Sequence, residues 1–299
     1  MPEISIIVCT RDRPESLKRC VNSILSNNYD SMELLIVDQS EDSKSRLFVE
    51  SLNDPRVIVK KIETRGLACA RNLALRLSKG KIITFTDDDC VVAKDWIKNV
   101  LYEFSTRPDI AAVYGRVLPY GKIKEDMFCH AINESEELEI IEAPILPHTL
   151  GHGNNMSFRK EIFEEIGNFE EMLGAGTKFY AGEDTDFTLR LMERGFKLCY
   201  SPRPLVYHDK WHSLEESRGL DYKYLLGATI VFGKHLILKR NKVALVWLFK
   251  RPWEIGSHLK LVIRDRDFSR LKYVKKMYCY YCYGTVTSIY LILTEKLYK

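Results

Sequence analysis

The sequence has no cysteine framework, internal repeat or low-complexity tract. Its eight cysteines are scattered through 299 residues, and some lie in apolar runs, as Cys9 does in ISIIVC, where a buried, reduced thiol is expected. Cys279 and Cys282 form a CxxC pair without a second pair, so the sequence gives little support for a zinc site. The chain enters a strand-like segment at Ile4, which predicts no signal peptide. Together these features predict a reduced, cytoplasmic setting.

The composition excludes several protein classes, and the charge is unevenly distributed. Hydrophobic residues make up 45% and charged residues 29%, which is ordinary for a folded globular protein and excludes disordered, collagenous and coiled-coil chains. Residues 234–299 contain 15 Lys and Arg against 4 Asp and Glu, whereas residues 1–233 carry a net charge of −7. The basic tail predicts an anionic lipid or nucleic-acid partner, and the acidic body argues against a nucleic-acid groove across it.

Strand and helix patterns alternate through the first ninety residues. Apolar β-branched runs predict buried parallel strands, and two segments between them show helical spacing. The predicted strands are Ile4–Val8, Glu33–Val37, Val57–Lys61 and Lys81–Thr86, and the helices begin near Asp12 and Ala68. This rhythm predicts an α/β fold with a doubly wound sheet flanked by helices. Farther along, Leu198–Tyr200 predicts a strand before Pro202 and Pro204, whereas the acidic segment Glu134–Glu142 shows no clear structure. A change to basic, Tyr-rich sequence predicts two parts, residues 1–218 and 219–299.

Polar residues follow three of the predicted strands. Thr10, Asp38 and the run Asp87-Asp88-Asp89 all fall at carboxyl ends of strands. In open α/β sheets the ligand crevice lies outside these ends. The sequence therefore predicts that these residues share one site.

The three adjacent carboxylates are the strongest single feature. They repel one another unless a cation or hydrogen-bond donors compensate them. A divalent cation with oxygen ligands does so and also bridges a diphosphate. The alternative is a solvated acidic turn with a capping role, but the apolar KIITFT segment before the run favours the metal site.

Two further motifs lie downstream. Gly182-Glu183-Asp184-Thr185 precedes a predicted helix, where the helix dipole keeps a carboxylate ionised, as a general base requires; helix capping is the alternative. His208 follows in VYH, with Trp211 and His212 just behind. An imidazole suits Mn²⁺, although a structural histidine is the alternative, and the spacing does not decide between His208 and His212.

These features occur together and in order, and the chain resembles the family 2 glycosyltransferases, inverting enzymes of the GT-A fold. The similar segments are SIIVCTRDRPESLKRCVNSIL, ELLIVDQSEDS, TRGLACARNLALRLSKGKIITFTDDD, GHGNNMSFRKEIFEEIGNFEE and AGEDTDFTLRLMERGFKL. The resemblance spans roughly residues 3–212. The QxxRW motif of processive polysaccharide synthases is absent, which favours a single sugar transfer.

The resemblance implies a role for each matching residue. Asp184 would be the catalytic base, and Mn²⁺ or Mg²⁺ would be held by a DxD motif with His208 as a third ligand. The implied metal ligands are Asp87, Asp89 and His208; the nucleotide-sugar contacts are Thr10, Arg11, Asp38, Arg71, Asp87 and Asp88; the acceptor-side residues are Asn154, Asn155, Glu183 and Trp211. The donor would be a UDP-sugar, with GDP- and dTDP-sugars as alternatives, and the acceptor a glycan or lipid-linked glycan of the cell envelope.

The basic C-terminal part admits three interpretations. Segments 224–238 and 244–261 mix apolar residues with Lys and Arg, as in helices that lie on an anionic membrane. Residues 277–293 carry no charge, but their tyrosines and Gly284 favour an interfacial or packed helix over a spanning one. We therefore predict that the protein lies on the inner face of the membrane. The second interpretation is a helical subdomain that forms a homodimer. Nucleic-acid binding is not expected.

Two rival functions remain at this stage. A sugar nucleotidyltransferase needs a glycine-rich loop after the first strand, and CTRDRP contains no glycine. A non-catalytic glycan- or nucleotide-binding module on the same fold is the other rival, and only turnover separates it from an enzyme.

Overall fold

The structure is a computed structural model that describes residues 1–143, 145–266 and 268–294. The strands are β1 Ile4–Thr10, β2 Met32–Asp38, β3 Val57–Lys61, β4 Ile82–Asp87, β5 Cys90–Val92, β6 Ile110–Pro119, β7 Phe128–Cys129, β8 Glu139–Ile141, β9 Met156–Arg159, β10 Lys197–His208 and β11 Trp211–His212. The helices are α1 Pro14–Leu25, α2 Lys44–Ser51, α3 Leu67–Leu77, α4 Trp96–Thr106, α5 Pro147–Leu150, α6 Ile162–Ile166, α7 Glu183–Glu193, α8 Leu214–Lys239, α9 Lys242–Asp265 and α10 Ser269–Leu293.

The main sheet is mixed. Its order is β3-β2-β1-β4-β9-β6-β10-β5, with β8 paired to β10. The strands β3, β2, β1 and β4 are parallel, whereas β9 runs antiparallel to both β4 and β6. The register pairs Thr10 with Asp38 and Cys9 with Asp87, so the three predicted strand ends meet at one edge, as expected for parallel strands.

Each face of the sheet is covered by its own apolar cluster. Alternate residues of β1 supply the two sides: Ile6 and Val8 pack with α1 and α4, and Ile7 packs with α3 and α7. Pro14 stands at the start of α1, where its missing N–H costs nothing. This double-sided burial explains why β1 and β2 consist of continuous apolar runs.

Helices α8, α9 and α10 form a third cluster against the sheet domain. α8 begins with a capping box between Ser213 and Glu216, which fixes the position at which the chain enters the helix. Close approach to α10 is possible because Gly284 faces Thr229; a Cβ there would lie 2.8 Å from the threonine Cβ. Among the helices of the described residues, none combines the length and apolar character required to cross a membrane.

A buried charge network joins α7 to α8. The fully buried Asp186 carboxylate accepts from Arg190 Nε at 2.9 Å and from Lys234 Nζ at 2.8 Å. His235 lies between Asp186 and Glu193, 3.1 Å and 2.8 Å from their oxygens. Because a buried carboxylate without partners is costly, these contacts fix the helical part relative to α7.

The structure departs from the sequence predictions in two elements. The strand expected at 198–200 runs from Lys197 to His208, through two prolines, because a register irregularity against β6 between Ser201 and Leu205 absorbs them. The acidic segment 134–142, expected to be irregular, contains β8. The division at 218/219 falls inside α8 and stays a prediction; residues 267 and 295–299 lie outside the described residues.

Candidate active site

A cavity of about 940 Å³ opens at the carboxyl ends of β1 and β4. Its lining near the sheet includes all three adjacent aspartates and Asp184. The volume lies within the roughly 300–1,000 Å³ usual for small-molecule sites. The structure therefore brings the aspartate run and the residues at the start of α7 into one pocket.

Asp88 is buried between Thr10 and Arg13. Thr10 Oγ1 donates to one carboxylate oxygen at 2.7 Å, and Arg13 Nη1 donates to the other at 2.8 Å. Burial raises the pKa of Asp88 to about 6, although the Arg13 charge opposes this effect. Both carboxylate oxygens of Asp88 thus accept hydrogen bonds from side chains of the protein.

Asp89 is the meeting point of three cationic groups. Arg13 Nη1 lies 2.8 Å and Lys210 Nζ 3.2 Å from Oδ2, and His208 Nε2 lies 3.3 Å from Oδ1. Burial alone would raise the pKa of Asp89, but His208, Lys210 and Arg13 lower it below its ordinary value. Asp89 Oδ1 is buried and makes no hydrogen bond of good geometry.

The orientation of His208 is fixed by the backbone. Its Nδ1 lies 2.8 Å from the carbonyl oxygen of His130, so Nδ1 carries the hydrogen and Nε2 faces Asp89. Burial lowers the pKa of His208, but Asp89 and Cys129 outweigh it and raise the pKa to about 10. This arrangement, in which a carbonyl orients a histidine toward a carboxylate, is typical of metal-binding histidines.

Among the described residues, one group has its possible ligand atoms within 4.8 Å of one another: Asp89, Cys90 and His208. Burial raises the pKa of the Cys90 thiol well above its ordinary value, which disfavours the thiolate that metals bind. Of these three groups, the carboxylate and the imidazole offer the ligand atoms that suit Mn²⁺ or Mg²⁺.

Arg71 is a buried connector. Its guanidinium lies 2.9 Å from Glu183 Oε1 and 3.3 Å from Asp87 Oδ1, and it donates to the Gly153 carbonyl at 3.0 Å. Burial and the neighbouring Asp184 raise the pKa of Glu183 to about 7, although Arg71 opposes them. Glu183 thus faces Arg71 from the start of α7, and Arg71 ties α7 to the end of β4.

Asp184 is held at the first turn of α7. Its Oδ1 accepts from the Thr185 N–H at 2.7 Å and its Oδ2 from the Gly153 N–H at 3.0 Å. Both donors are backbone groups, and the Thr185 hydroxyl lies 3.4 Å from Oδ1; within the described part of the chain, Asp184 forms no ion pair. It lines the cavity together with Gly153.

Two of the predicted nucleotide residues differ in exposure. Asp38 is fully buried; Oδ1 accepts from the Ser40 N–H at 2.9 Å, and Oδ2 makes no hydrogen bond. Arg11 lines the cavity, with Nε 3.4 Å from Asp12 Oδ2. Asp38 itself does not line the cavity, whereas the next residue, Gln39, does.

The predicted acceptor-side residues separate into two groups. Asn154 lines the cavity and its buried Oδ1 has no partner. Asn155 lies outside it, because its amide is used by Trp96 Nε1, the Arg116 carbonyl and the Pro204 carbonyl at 2.8–3.0 Å. Trp211 also lies outside the cavity lining, and its ring contacts Lys124.

The sequence analysis did not identify Arg13 and Lys210, whose side chains form ion pairs with the aspartate run. Arg13 lies in the same CTRDRP segment as Arg11, and its position just before Pro14 at the start of α1 is a usable signal. Lys210 gives no such signal, because its contact with Asp89 depends on the turn after β10.

Comparisons with known proteins identify relatives. The sequence model described as "Glycosyl transferase family 2" matches residues 5–167. The glucosyl-dolichyl phosphate glucuronosyltransferase of Haloferax volcanii is 25% identical over 222 residues, 69% of each chain. The pre-mycofactocin glycosyltransferase of Mycobacterium tuberculosis is 27% identical over 213 residues, which are 69% of this chain and 43% of that longer protein.

A solved structure is similar across the whole fold. The mannosyltransferase from Pyrobaculum calidifontis, in complex with GDP-Man and Mn²⁺, superposes with a TM-score of 0.65 at 17% identity, covering 96% of this chain and 87% of that one. At this identity the likeness concerns the fold. It confirms the predicted GT-A sheet with C-terminal helices.

Proposed function

The chain belongs to glycosyl transferase family 2 and is a glycosyltransferase, and from this premise we propose that it catalyses an inverting, metal-dependent transfer. The donor is a nucleotide-sugar and the acceptor a hydroxyl of a cell-envelope glycan or glycolipid. The observation that carries the proposal is the convergence of Asp87, Asp89, His208 and Asp184 on one cavity.

The metal ligands in this proposal are Asp89, His208 and Asp87. The buried Asp89 Oδ1 lacks a hydrogen bond and lies next to His208 Nε2, which fits a cation between a carboxylate and an imidazole. When bound, Mn²⁺ or Mg²⁺ supplies positive charge that offsets the charge developing on the diphosphate. The Mn²⁺ in the related mannosyltransferase supports this assignment.

The nucleotide in this proposal lies along the ends of β1 and β2. Asp38 does not line the cavity; in this proposal it acts indirectly, by accepting from the Ser40 N–H at 2.9 Å and fixing the segment that carries the cavity-lining Gln39. Arg11 lies on the cavity wall and offers charge to the phosphates, while Thr10 and Arg13 hold Asp88 in place.

Asp184 acts as the base. It accepts the proton of the acceptor hydroxyl as that oxygen attacks the anomeric carbon, and the nucleoside diphosphate leaves from the opposite face in one displacement. The two backbone N–H groups hold the carboxylate in position. Asn154 offers its free Oδ1 to the acceptor, and Arg71 with Glu183 connects the base to the aspartate run.

Binding of nucleoside diphosphates tests this proposal. We expect calorimetry to detect one of UDP, GDP and dTDP binding, with affinity that rises when Mn²⁺ is added. Arg11→Gln should weaken that binding, because Arg11 lines the cavity, and Asp30→Asn, which changes a fully exposed carboxylate outside the cavity lining, should not. If no nucleoside diphosphate binds with or without metal, the proposal fails; binding without any turnover would favour the non-catalytic module.

We further propose that the protein lies on the inner face of the membrane through α9 and α10. Residues on one side of α9 are exposed and apolar, namely Val246, Phe249, Trp253 and Ile263. Basic residues such as Lys250 and Lys260 are exposed on the same helix. Apolar side chains among exposed lysines are typical of helices that lie on anionic membranes.

A further inference from the structure

The cavity does not end at the sheet domain. From Asp184 it continues between α8, α9 and α10, where Tyr224, Leu225 and Ala228 line one side. Farther in, the lining includes the apolar Phe232, Trp247 and Met277, each less than 10% exposed. The polar lining residues there include Asp221, His258 and Tyr273, and the Tyr273 hydroxyl donates to Asp221 at 2.9 Å. The cavity thus changes from a charged end at the aspartates to a mainly apolar end inside the helical part.

This apolar end is poorly suited to a sugar. Sugars bind proteins through hydrogen bonds and through stacking on free aromatic faces. The Trp247 ring stacks on Phe232, with centroids 4.5 Å apart, and also contacts the Arg251 guanidinium at 4.5 Å. Those contacts occupy the faces on which a sugar ring would stack.

Arg251 adds a cationic group to the same lining. Its Nη1 lies 3.0 Å from Glu254 Oε2, whereas its buried Nε has no hydrogen-bond partner among the residues that the structure describes. A buried donor without an acceptor is destabilising, so a ligand that supplies an anionic oxygen is favoured there. An apolar channel with one incompletely paired guanidinium matches an amphiphile with a phosphate group.

We infer that the helical end of the cavity binds the hydrocarbon chain and phosphate of a lipid-phosphate-linked acceptor, with Arg251 at the phosphate and Phe232, Trp247 and Met277 along the chain. This inference rests on the proposed function, because Asp184 at the other end of the same cavity is the base that the acceptor hydroxyl must reach. It narrows the acceptor class from any envelope glycan to one carried on a lipid phosphate. The helical part is accordingly the acceptor-binding part of the enzyme.

A short amphiphile tests the inference in the full chain. Decyl phosphate, below its micelle concentration, is titrated by calorimetry against decanol and inorganic phosphate. We expect decyl phosphate to bind more tightly than either, because the site combines an apolar channel with a cation. Equal affinity for inorganic phosphate, or no binding of decyl phosphate, would overturn the inference.

Matched variants locate the binding. Arg251→Gln should weaken decyl phosphate roughly ten- to a hundredfold, as expected for loss of a charge-assisted hydrogen bond, whereas Lys250→Gln, which changes the exposed neighbour, should have no effect. Equal losses of decyl phosphate affinity in Arg251→Gln and Lys250→Gln would indicate that the ligand is attracted to the basic surface of the helix. That result would contradict a binding site at Arg251. Ligand-induced change in tryptophan emission should disappear in Trp247→Phe and persist in Trp253→Phe, since Trp253 is 83% exposed; the reverse would place the ligand on the outer face of α9.

The inference and the proposed function fail separately. Nucleoside diphosphate binding to the wild-type chain with Mn²⁺ is measured without any amphiphile. If this binding is found and decyl phosphate does not bind, only the acceptor inference falls. If decyl phosphate binds as predicted and no nucleoside diphosphate does, the inferred site remains a lipid-phosphate site, but its assignment to an acceptor falls with the proposed function.

Discussion

Asp89 is the residue on which the charges of the site converge. Arg13, Lys210 and His208 all lie within 3.3 Å of its oxygens. The sequence predicted that the aspartate run needs compensation by a divalent cation or hydrogen-bond donors, and the resemblance implied His208 as a further metal ligand. It could not show that Arg13 and Lys210 also compensate the run, because their contacts depend on the conformations of two loops after β1 and β10.

The two histidines in this region provide a matched test of metal binding. We expect His208→Ala to weaken Mn²⁺ binding roughly tenfold or more, because its Nε2 faces Asp89 and its Nδ1 is held by a carbonyl. His212→Ala is the control, since His212 packs against the His130 ring, with centroids 5.8 Å apart, away from Asp89. Calorimetric titration of Mn²⁺ decides between the two histidines. A larger loss of Mn²⁺ affinity in His212→Ala than in His208→Ala would contradict the assignment.

At the scale of elements, strands with strong local patterns were predictable. Expectations for β1, β2, β3 and β4 are confirmed within one or two residues, because buried parallel strands need continuous apolar runs. The strand β9, inserted antiparallel between β4 and β6, was not predicted. Its segment follows a glycine-rich loop, and its pairing is set by distant strands rather than by its own four residues.

Contact between α8 and the loop before α7 is close, and this positions Asp184 relative to the helical part. A Cβ on Gly227 would lie 2.3 Å from the Ala181 carbonyl oxygen, so Gly227→Ala must move α8 or the loop. We expect it to lower the free energy of unfolding by about 1–3 kcal/mol, the usual cost of overpacking.

Gly219→Ala in the same helix is the control for this substitution. Gly219 has no heavy atom within 4 Å of its Cβ position, so alanine there should stabilise the helix by about 0.5–1 kcal/mol. Denaturant unfolding measures both variants. Equal effects of the two substitutions would show that helix propensity, not the Ala181 contact, dominates at Gly227.

At the scale of the molecule, the acidic sheet domain and the basic helices share one cavity. The sequence predicted two parts of opposite charge and a membrane-facing second part. It did not predict that α8, α9 and α10 would extend the active-site cavity, because the inward faces of these helices are defined only by their mutual packing. The outward face of α9 is apolar and basic, as the membrane hypothesis requires.

Vesicles that contain anionic lipid test this outward face. We expect the wild-type chain to bind them and a Phe249→Ser, Trp253→Ser double variant to bind at least about tenfold more weakly, since each buried aromatic contributes roughly 1.5–3 kcal/mol. A Leu47→Ser, Ile123→Ser variant, which changes exposed apolar residues of the sheet domain, is the control. Unchanged vesicle binding in the α9 variant would exclude this surface, and loss of a dimer instead would favour self-association.

Release of nucleoside diphosphate from the donor is the most direct test of the central claim. Water replaces the acceptor hydroxyl, and rates are compared for wild type, Asp184→Asn, Asp89→Ala and the control Asp30→Asn, with and without Mn²⁺. We predict metal-dependent release by wild type and Asp30→Asn, a fall of roughly 10²–10⁴-fold in Asp184→Asn with donor binding retained, and loss of metal dependence in Asp89→Ala. Release by Asp184→Asn at the wild-type rate would contradict the account.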